Sequence, residues 1–246
     1  MKAIFTGMNG TVAPFVANYF SEKGYEVIAY DRNIVSTENE REIEPFILRH
    51  QPKILLHFAM GSIEWTKNLS LICSKKQIEF VYISTVSVFS NENRGPHTID
   101  SIPDADDDYG RYKRMSESVV LNNHTSPYII RLGWQIGYGK GQNQMIDFLY
   151  RKMAEEGEIK ASSLWYPATS FLQDTASAIY QIVHELKPGL YHVNSNDQYT
   201  YYEIVQYLSK IYAELTVVET KDFNADHRMI DERVKIRKLS EIFNGE

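Results

Sequence analysis

The 246-residue sequence has one cysteine, Cys73, and no long apolar run. A single cysteine cannot form a disulfide within the chain. The N-terminal stretch reaches Gly7 before an apolar run of signal-peptide length develops, and no later stretch approaches the roughly 20 apolar residues that a membrane-spanning helix needs. These absences predict a cytoplasmic protein with no internal disulfide and no membrane partner.

The sequence also lacks an excess of positive charge. Its formal net charge is −6 and its pI is about 5.7, with lysine and arginine scattered along the chain, so we expect no nucleic-acid partner. No spacing of His, Cys, Asp and Glu resembles a metal site. The composition, 43% hydrophobic and 24% charged, is that of an ordinary globular protein. We therefore expect one α/β domain, or one domain with a small appendage.

The first hundred residues alternate short apolar runs with helical patterns, which is typical of βαβ units and a parallel sheet. The predicted strands are 2–6, 26–30, 53–58, 80–84, 128–132 and 189–193. The predicted helices are 12–23, 38–50, 63–76, 109–122, 145–156, 174–186 and 201–212. Residues 91–108 are rich in Asn, Asp, Gly and Pro, which predicts a long surface loop.

The segment TGMNGTVA, residues 6–13, lies between the first predicted strand and the first predicted helix. In that position Gly7 and Gly10 would permit a tight turn, and the N–H groups at the helix N-terminus would favour a pyrophosphate. The simpler alternative is a glycine turn with no nucleotide. The loop residues predicted to contact a dinucleotide are Gly7, Met8, Asn9, Gly10, Thr11 and Val12.

Asp31 and Arg32 bear on which dinucleotide would bind. Asp31 ends the second predicted strand, where a carboxylate would accept hydrogen bonds from the adenosine ribose hydroxyls. That favours NAD over NADP, because a carboxylate repels a 2′-phosphate. The guanidinium of Arg32 could instead hold that phosphate, so both cofactors stay open.

The segment YGRYK places Tyr109 and Lys113 four residues apart, on one face of a predicted helix. A nearby ammonium is expected to lower the pKa of the phenol, which would make Tyr109 a better acid. The alternative is two neighbours on a solvent-exposed helix face. A second Tyr-x-x-x-Lys, Tyr19 to Lys23, shows that the spacing alone arises by chance.

Four motifs in order resemble the extended short-chain dehydrogenase/reductase family. They are the Gly-x-x-Gly-x-x-Ala spacing of residues 7–13, HFA at 57–59, STVSVF at 84–89 and YGRYK at 109–113. With IIRLGWQIGYG at 129–139, the sequence is most similar to dTDP-4-dehydrorhamnose reductases. The resemblance covers nearly the whole chain, strongly in the first half and loosely in the second.

The resemblance implies a Rossmann-type α/β fold, with a doubly wound parallel sheet and a small, irregular C-terminal substrate-binding region. Residues 1–132 would form the NAD(P)-binding core, with 173–193 returning to it. Residues 133–172 and 194–246 would form the smaller region.

The resemblance also assigns roles to single residues. Tyr109 would donate a proton to the substrate carbonyl, Lys113 would lie near the cofactor ribose, and Thr85 would hold the carbonyl over the nicotinamide. Further cofactor contacts would come from Phe58, Ala59, Met60 and Ser84, together with Tyr109 and Lys113. His57 is interpreted as structural.

Substrate contacts are expected from the strand ends and the C-terminal half. Trp134 would lie against a sugar ring, with a core tryptophan as the alternative, and Arg131 would meet a carboxylate or diphosphate. The expected substrate contacts are Thr85, Ser87, Arg131, Trp134 and Asn143, with Thr169 and Ser170 as weaker candidates.

Two departures from the family pattern limit these expectations. Thr85 is followed by Val86 and Ser87, where the rhamnose-pathway reductases have Asp-Tyr, which leaves the substrate open. The segment 59–80 is shorter than in most members of the family, and in many of them its helix forms part of a dimer interface. The chain could therefore be a monomer or a homodimer.

The sequence therefore predicts an NAD(P)-dependent oxidoreductase acting on CH–OH groups, which reduces a keto-sugar that we expect to be nucleotide-linked. Two alternatives remain: an NAD-dependent nucleotide-sugar epimerase, and a non-catalytic NAD(P)-binding regulatory subunit.

Overall fold

A computed structural model of the chain describes residues 1–137, 144–212 and 215–245. The strands are β1 (Lys2–Thr6), β2 (Glu26–Ala29), β3 (Ile54–His57), β4 (Glu79–Thr85), β5 (Tyr128–Leu132), β6 (Trp134–Ile136), β7 (Ile159–Ser162), β8 (Trp165–Tyr166), β9 (Thr169–Phe171), β10 (Gly189–Val193), β11 (Val217–Thr220) and β12 (Ala225–Asp226). The α-helices are α1 (Ala13–Glu22), α2 (Glu40–His50), α3 (Ile63–Lys75), α4 (Asp108–Asn123), α5 (Met145–Glu156), α6 (Leu172–Glu185), α7 (Tyr201–Ile211) and α8 (Leu239–Phe243).

A six-stranded parallel sheet forms the centre of the fold, in the order β10-β5-β4-β3-β1-β2. From β1 the chain winds first to β2 on one side and then to β3 on the other. Where the winding reverses in this way, a crevice opens at the carboxyl ends of the strands. The prediction of an α/β, Rossmann-type doubly wound sheet is confirmed.

Helices cover both faces of the sheet, because successive side chains in a strand point to opposite faces. Phe5 of β1 packs with Phe20 of α1 and Ile179 of α6. Its neighbour Ile4 packs on the other face with Trp65 of α3 and Ile43 of α2. Burial on both faces explains why the strands read as continuous apolar runs and not as alternating ones.

The sheet edge at β10 is covered by an ion pair instead of by another strand. Asp231 accepts a hydrogen bond from the backbone N–H of His192 at 3.3 Å, and Arg233 donates to the carbonyl of Leu190 at 2.7 Å. The two side chains bind each other at 2.7 Å. This arrangement occupies backbone groups that could otherwise pair with another chain.

The C-terminal half contributes a third apolar cluster and three small parallel pairs, β6 with β9, β7 with β11, and β8 with β12. The sequence did not predict these strands, which are two to four residues long.

The loop before α4 packs more closely than predicted, since His97 is buried and forms a β-bridge with Met229. The domain division at residue 132 stays a prediction. No helix within the described ranges has both the length and the apolar character needed to cross a membrane.

Candidate active site

The loop between β1 and α1 lies at the crevice of the sheet. Gly7 has φ of 79°, and a Cβ built on it would lie 3.0 Å from the backbone nitrogen of Ala59 and 3.1 Å from the Cβ of Phe58. The Gly10 N–H closes the turn onto the Gly7 carbonyl at 2.8 Å. Helix α1 follows, and its N-cap residue Val12 supplies no side-chain hydrogen bond. A backbone cradle against a helix N-terminus suits a phosphate group.

Thr6 and His57 hold this loop against the end of β3. The hydroxyl oxygen of Thr6 accepts hydrogen bonds from the N–H groups of Phe58 and Ala59 at 3.0 and 3.1 Å, and the hydroxyl lies 2.9 Å from His57 Nδ1. His57 Nε2 lies 3.1 Å from the hydroxyl of Thr66. Burial lowers the pKa of His57 to about 3, so the ring is neutral and its contacts are structural.

Asp31 and Arg32 lie exposed beyond β2, close to the loop after β3. Asp31 accepts a hydrogen bond from the Asn33 N–H at 2.8 Å, and Arg32 donates to the carbonyl of Met60 at 3.4 Å. Met60 is itself exposed. The structure therefore brings together three of the residues predicted to contact the cofactor, one acidic and one basic among them.

One cavity of about 530 Å³ joins the phosphate loop to Tyr109. Its lining includes Thr11, Val12, Thr85, Ser87, Tyr109 and Trp134. Tyr109 is in the first turn of α4, where Asp107 caps the helix by accepting hydrogen bonds from Tyr109 N–H and Gly110 N–H. Thr85 is the last residue of β4 and hydrogen-bonds Ser87.

The pKa of Tyr109 is raised, where the sequence predicted that it would be lowered. Partial burial is the main cause, and a hydrogen bond with Thr85 offsets it in part. The ammonium of Lys113 points elsewhere: it donates to the carbonyl of Ile83 at 2.9 Å and lies 5.0 Å from the ring centre of Tyr82. Burial lowers the pKa of Lys113 to about 8. Because its own pKa is raised, the Tyr109 phenol is protonated at neutral pH.

Glu117 is a buried carboxylate that sequence reasoning missed. It forms two hydrogen bonds with Arg131, at 2.9 and 2.7 Å, and accepts another from the hydroxyl of Ser84. The Arg131 guanidinium also lies 3.3 Å from His192. Arg131 was expected to meet a substrate anion, but these contacts occupy it inside the core, and we do not propose it as a substrate ligand. The signal in the sequence was the spacing Tyr109, Lys113, Glu117, which continues one helix face.

Aromatic side chains form one wall of the cavity. Trp134 and Trp165 both line it, with ring centroids 6.3 Å apart. Trp134 also stacks on Tyr201 at 6.0 Å, so it packs in an aromatic cluster and faces the cavity as well. Thr169 and Ser170, the weaker substrate candidates, are fully buried and bonded to other parts of the chain. Asn143 lies outside the described residues.

His227 is a second residue that the sequence did not indicate. It lines the same cavity as Tyr109, and its Nδ1 accepts a hydrogen bond from the Trp165 indole at 3.1 Å. Its position depends on the pairing of β8 with β12, and no local sequence pattern predicts that pairing. Within the described ranges, no group of three or more His, Cys, Asp or Glu side chains could hold a metal ion.

Comparison with known proteins gives matches along most of the chain. The family profile described as the RmlD substrate binding domain matches residues 62–229. The spore coat polysaccharide biosynthesis protein SpsK of Bacillus subtilis is 23% identical over 82% of this chain and 76% of its own. The dTDP-4-keto-6-deoxy-D-glucose reductase of Streptomyces niveus is 23% identical over 73% and 68%. Methionine adenosyltransferase 2 subunit beta of Xenopus tropicalis is 22% identical over 82% and 70%.

Solved structures share the fold at low identity. A dTDP-4-dehydrorhamnose reductase of Bacillus anthracis in complex with NADP has a TM-score of 0.82 and 18% identity, over 98% of this chain and 96% of that one. The Bordetella bronchiseptica enzyme WbmH in complex with NAD+ has a TM-score of 0.79 and 16% identity, over 98% and 95%. A UDP-N-acetylglucosamine 4-epimerase of Bacillus cereus has a TM-score of 0.78 and 21% identity, over 99% and 93%.

Proposed function

The chain belongs to the RmlD substrate binding domain family, within the extended short-chain dehydrogenases/reductases, and on that premise we propose that it is an NAD(P)-dependent reductase of a nucleotide-linked keto-sugar. The observation that carries the proposal is the single cavity shared by the phosphate loop, Thr85 and Tyr109. A cofactor on that loop and a carbonyl beside Tyr109 would share one continuous cleft. The names of two relatives, a dTDP-sugar reductase and a polysaccharide biosynthesis protein, support the substrate class.

The residues present fit a nicotinamide dinucleotide. Gly7 has a positive φ and lies too close to Phe58 and Ala59 for a Cβ, which keeps the loop tight, and the start of α1 offers backbone N–H groups to a pyrophosphate. The segment Gly7–Val12 would hold the phosphates, Asp31 and Arg32 the adenosine ribose, and Phe58, Ala59 and Met60 the next part of the cofactor. When bound in its reduced form, the cofactor supplies a hydride for the carbonyl carbon.

Tyr109 would supply the proton. Reduction of a carbonyl leaves negative charge on oxygen, and a positioned acid that protonates this oxygen lowers the barrier. The raised pKa of Tyr109 keeps the phenol protonated at neutral pH, so the acid is present in the required form. The Thr85 hydroxyl, which lines the same cavity as Tyr109, would orient the same carbonyl oxygen.

Lys113 would act from the next turn of α4, four residues after Tyr109. Its ammonium is held at the carbonyl of Ile83, next to the strand end that carries Ser84 and Thr85. A buried positive charge in that place would favour the phenolate that forms when Tyr109 gives up its proton, and its remaining donors could bind a cofactor ribose. This role needs the ammonium form of Lys113.

A pH profile tests that role. The ammonium of Lys113 predominates below its pKa of about 8 and is lost as the pH rises through it, while the Tyr109 phenol stays protonated over the same range. We expect kcat/KM to fall on the alkaline side with an apparent pKa near 8. In Lys113→Arg, whose guanidinium stays charged, this step should vanish. A step that persists near 8 in that variant would contradict the assignment, and Lys67→Arg, on the surface, is the control.

Calorimetric titration with NADH and NADPH tests the cofactor assignment. We expect tighter binding of NADH, because the Asp31 carboxylate would accept ribose hydrogen bonds and repel a 2′-phosphate. A hydrogen bond to a charged group contributes about 1.5–3 kcal/mol, so Asp31→Asn should weaken NADH binding about tenfold or more. The same change should improve NADPH binding. Glu22→Gln, which removes an exposed carboxylate from α1, should change neither affinity.

An unchanged ratio of the two affinities in Asp31→Asn would contradict the role of Asp31. Failure of the unmodified chain to bind either dinucleotide would contradict the proposed function itself.

An epimerase is the second candidate, favoured by the fold shared with the Bacillus cereus UDP-N-acetylglucosamine 4-epimerase. An epimerase returns the hydride to its substrate and consumes no cofactor. It would therefore carry nucleotide through purification and convert a sugar nucleotide without a change in NADH absorbance. Net oxidation of NADH or NADPH in step with sugar reduction would exclude it.

The third interpretation is a non-catalytic subunit, and it is supported by the name of one relative of the chain, methionine adenosyltransferase 2 subunit beta. It predicts dinucleotide binding without turnover of any keto-sugar.

A further inference from the structure

The β3–α3 loop, residues 58–62, lies directly against the phosphate loop. A Cβ built on Gly7 would lie 3.0 Å from the Ala59 nitrogen and 3.1 Å from the Phe58 Cβ. The Thr6 hydroxyl accepts hydrogen bonds from the N–H groups of Phe58 and Ala59. Because the two loops are in contact, a displacement of the β3–α3 loop would change the surface on which the dinucleotide is proposed to bind.

The second half of the β3–α3 loop is held by side chains from two other elements. Arg32, beyond β2, donates to the Met60 carbonyl at 3.4 Å. On the other side, the Gly61 N–H donates to the hydroxyl oxygen of Tyr112 at 3.1 Å. Met60 and Gly61 are both exposed, so these two hydrogen bonds carry much of the restraint on that half of the loop.

Tyr112 belongs to α4, the helix that carries Tyr109 and Lys113. Its side chain is half-buried, and its hydroxyl reaches from the helix to the loop. Lys113, the next residue, is fixed separately by its hydrogen bond to the Ile83 carbonyl. Tyr112 therefore links the helix of the proposed proton donor to the loop that touches the phosphate loop.

We propose that Tyr112 is a positioning residue of the cofactor site, whose hydroxyl holds the β3–α3 loop where a bound nicotinamide dinucleotide would contact it. The inference rests on the proposed function and adds to it a residue that acts through the loop and does not itself touch the cofactor. A loop that is already ordered loses less conformational freedom when a ligand binds. Without the Tyr112 hydroxyl, the cofactor would have to order the loop itself, and its affinity would fall.

This role predicts a different signature from that of Asp31. A loop that contacts the part common to NADH and NADPH should affect both affinities by the same factor, whereas Asp31 should change their ratio. The hydrogen bond from Gly61 is also separate from the contacts of Tyr109 and Lys113. Turnover at saturating cofactor should therefore not depend on it.

The test uses Tyr112→Phe in the full chain, which removes the hydroxyl and keeps the ring. The Kd values for NADH and NADPH are measured by calorimetry, and kcat and KM are measured with dTDP-4-keto-6-deoxy-D-glucose. Hydrogen–deuterium exchange of the loop amides is followed in the chain without cofactor. Tyr202→Phe is the matched control, because Tyr202 is also half-buried on a helix, α7, and its hydroxyl accepts a hydrogen bond from Gln206 at 2.7 Å.

We expect Tyr112→Phe to raise the Kd of both cofactors by the same factor, about threefold to tenfold, the range that one hydrogen bond produces. The loop amides should exchange faster, while kcat at saturating cofactor and Tm stay close to those of the unmodified chain. Tyr202→Phe should change none of these quantities.

Unchanged cofactor affinity in Tyr112→Phe would overturn the inference and leave the proposed function standing. A fall in kcat without a change in Kd would overturn it as well, because the hydroxyl would then act in the chemistry and not on the loop. If the unmodified chain binds neither dinucleotide, the proposed function fails, and the inference fails with it.

Discussion

Replacing Tyr109 with phenylalanine is expected to lower kcat by about 10²- to 10⁴-fold, the range that a positioned general acid contributes. The substitution removes one hydroxyl and keeps the ring at the start of α4. Because the phosphate loop and the Asp31 region are untouched, the affinities for NADH and NADPH should stay within about twofold of the unmodified chain. Steady-state turnover of a keto-sugar and calorimetric titration of the cofactor measure the two effects separately.

The chain provides a matched control in its second Tyr-x-x-x-Lys. Tyr19 and Lys23 have the same spacing, and the Lys23 ammonium lies 5.3 Å from the ring centre of Tyr19. Tyr19 is on α1 and Lys23 is the C-cap of that helix. The Tyr19 hydroxyl contacts Ser177 of α6 at 3.2 Å, away from the cavity. Tyr19→Phe should therefore keep full turnover. Full turnover in Tyr109→Phe would refute the mechanism, and equal losses in both variants would show that the assay reports folding instead of chemistry.

The fold was predictable wherever a strand is buried on both faces. β1, β5 and β10 have the bounds that the apolar runs indicated, because continuous burial leaves a strong local signal. The pairs β8–β12 and β6–β9 left none. Strands of two or three residues are held by distant partners, and no window of sequence contains both. The burial of His97 in the loop before α4 was missed for the same reason, since its β-bridge partner Met229 lies far along the chain.

The residues of the candidate site show the same difference between local motifs, which the sequence reveals, and long-range contacts, which it does not. Gly7, Thr85 and Tyr109 were found from the sequence because each sits at the end of a regular element, in a motif with fixed spacing. The orientation of Lys113 was not, because its bond to the Ile83 carbonyl depends on how α4 lies on β4. His227 was missed altogether, since its place in the cavity depends on a strand pair formed by residues 165–166 and 225–226.

Glu117→Gln has the second large expected effect, on stability. Glu117 and Arg131 are both more than nine-tenths buried, and the substitution would leave the guanidinium without its counter-charge. Breaking a buried ion pair from one side typically costs about 3–5 kcal/mol, a large part of the stability of an ordinary domain. We expect the midpoint of denaturant unfolding to fall accordingly, with Tm lower by roughly 10 °C. Glu156→Gln, which breaks an exposed pair with Lys152, should change Tm very little.

The double variant Glu117→Gln, Arg131→Met separates the lost pair from a general disturbance of the core. If the uncompensated guanidinium causes the loss, removing it should restore part of the stability, and the two substitutions will not be additive. Additive losses would place the cost in packing instead.

Glu117 also ties stability to the proposed chemistry, because it lies four residues beyond Lys113 and its carboxylate raises the pKa of that lysine against the effect of burial. Removing the charge should lower the pKa of Lys113 further. The alkaline step in kcat/KM should then move below pH 8 in Glu117→Gln, measured at a temperature where the variant is folded. An unmoved step would confine Glu117 to a structural role.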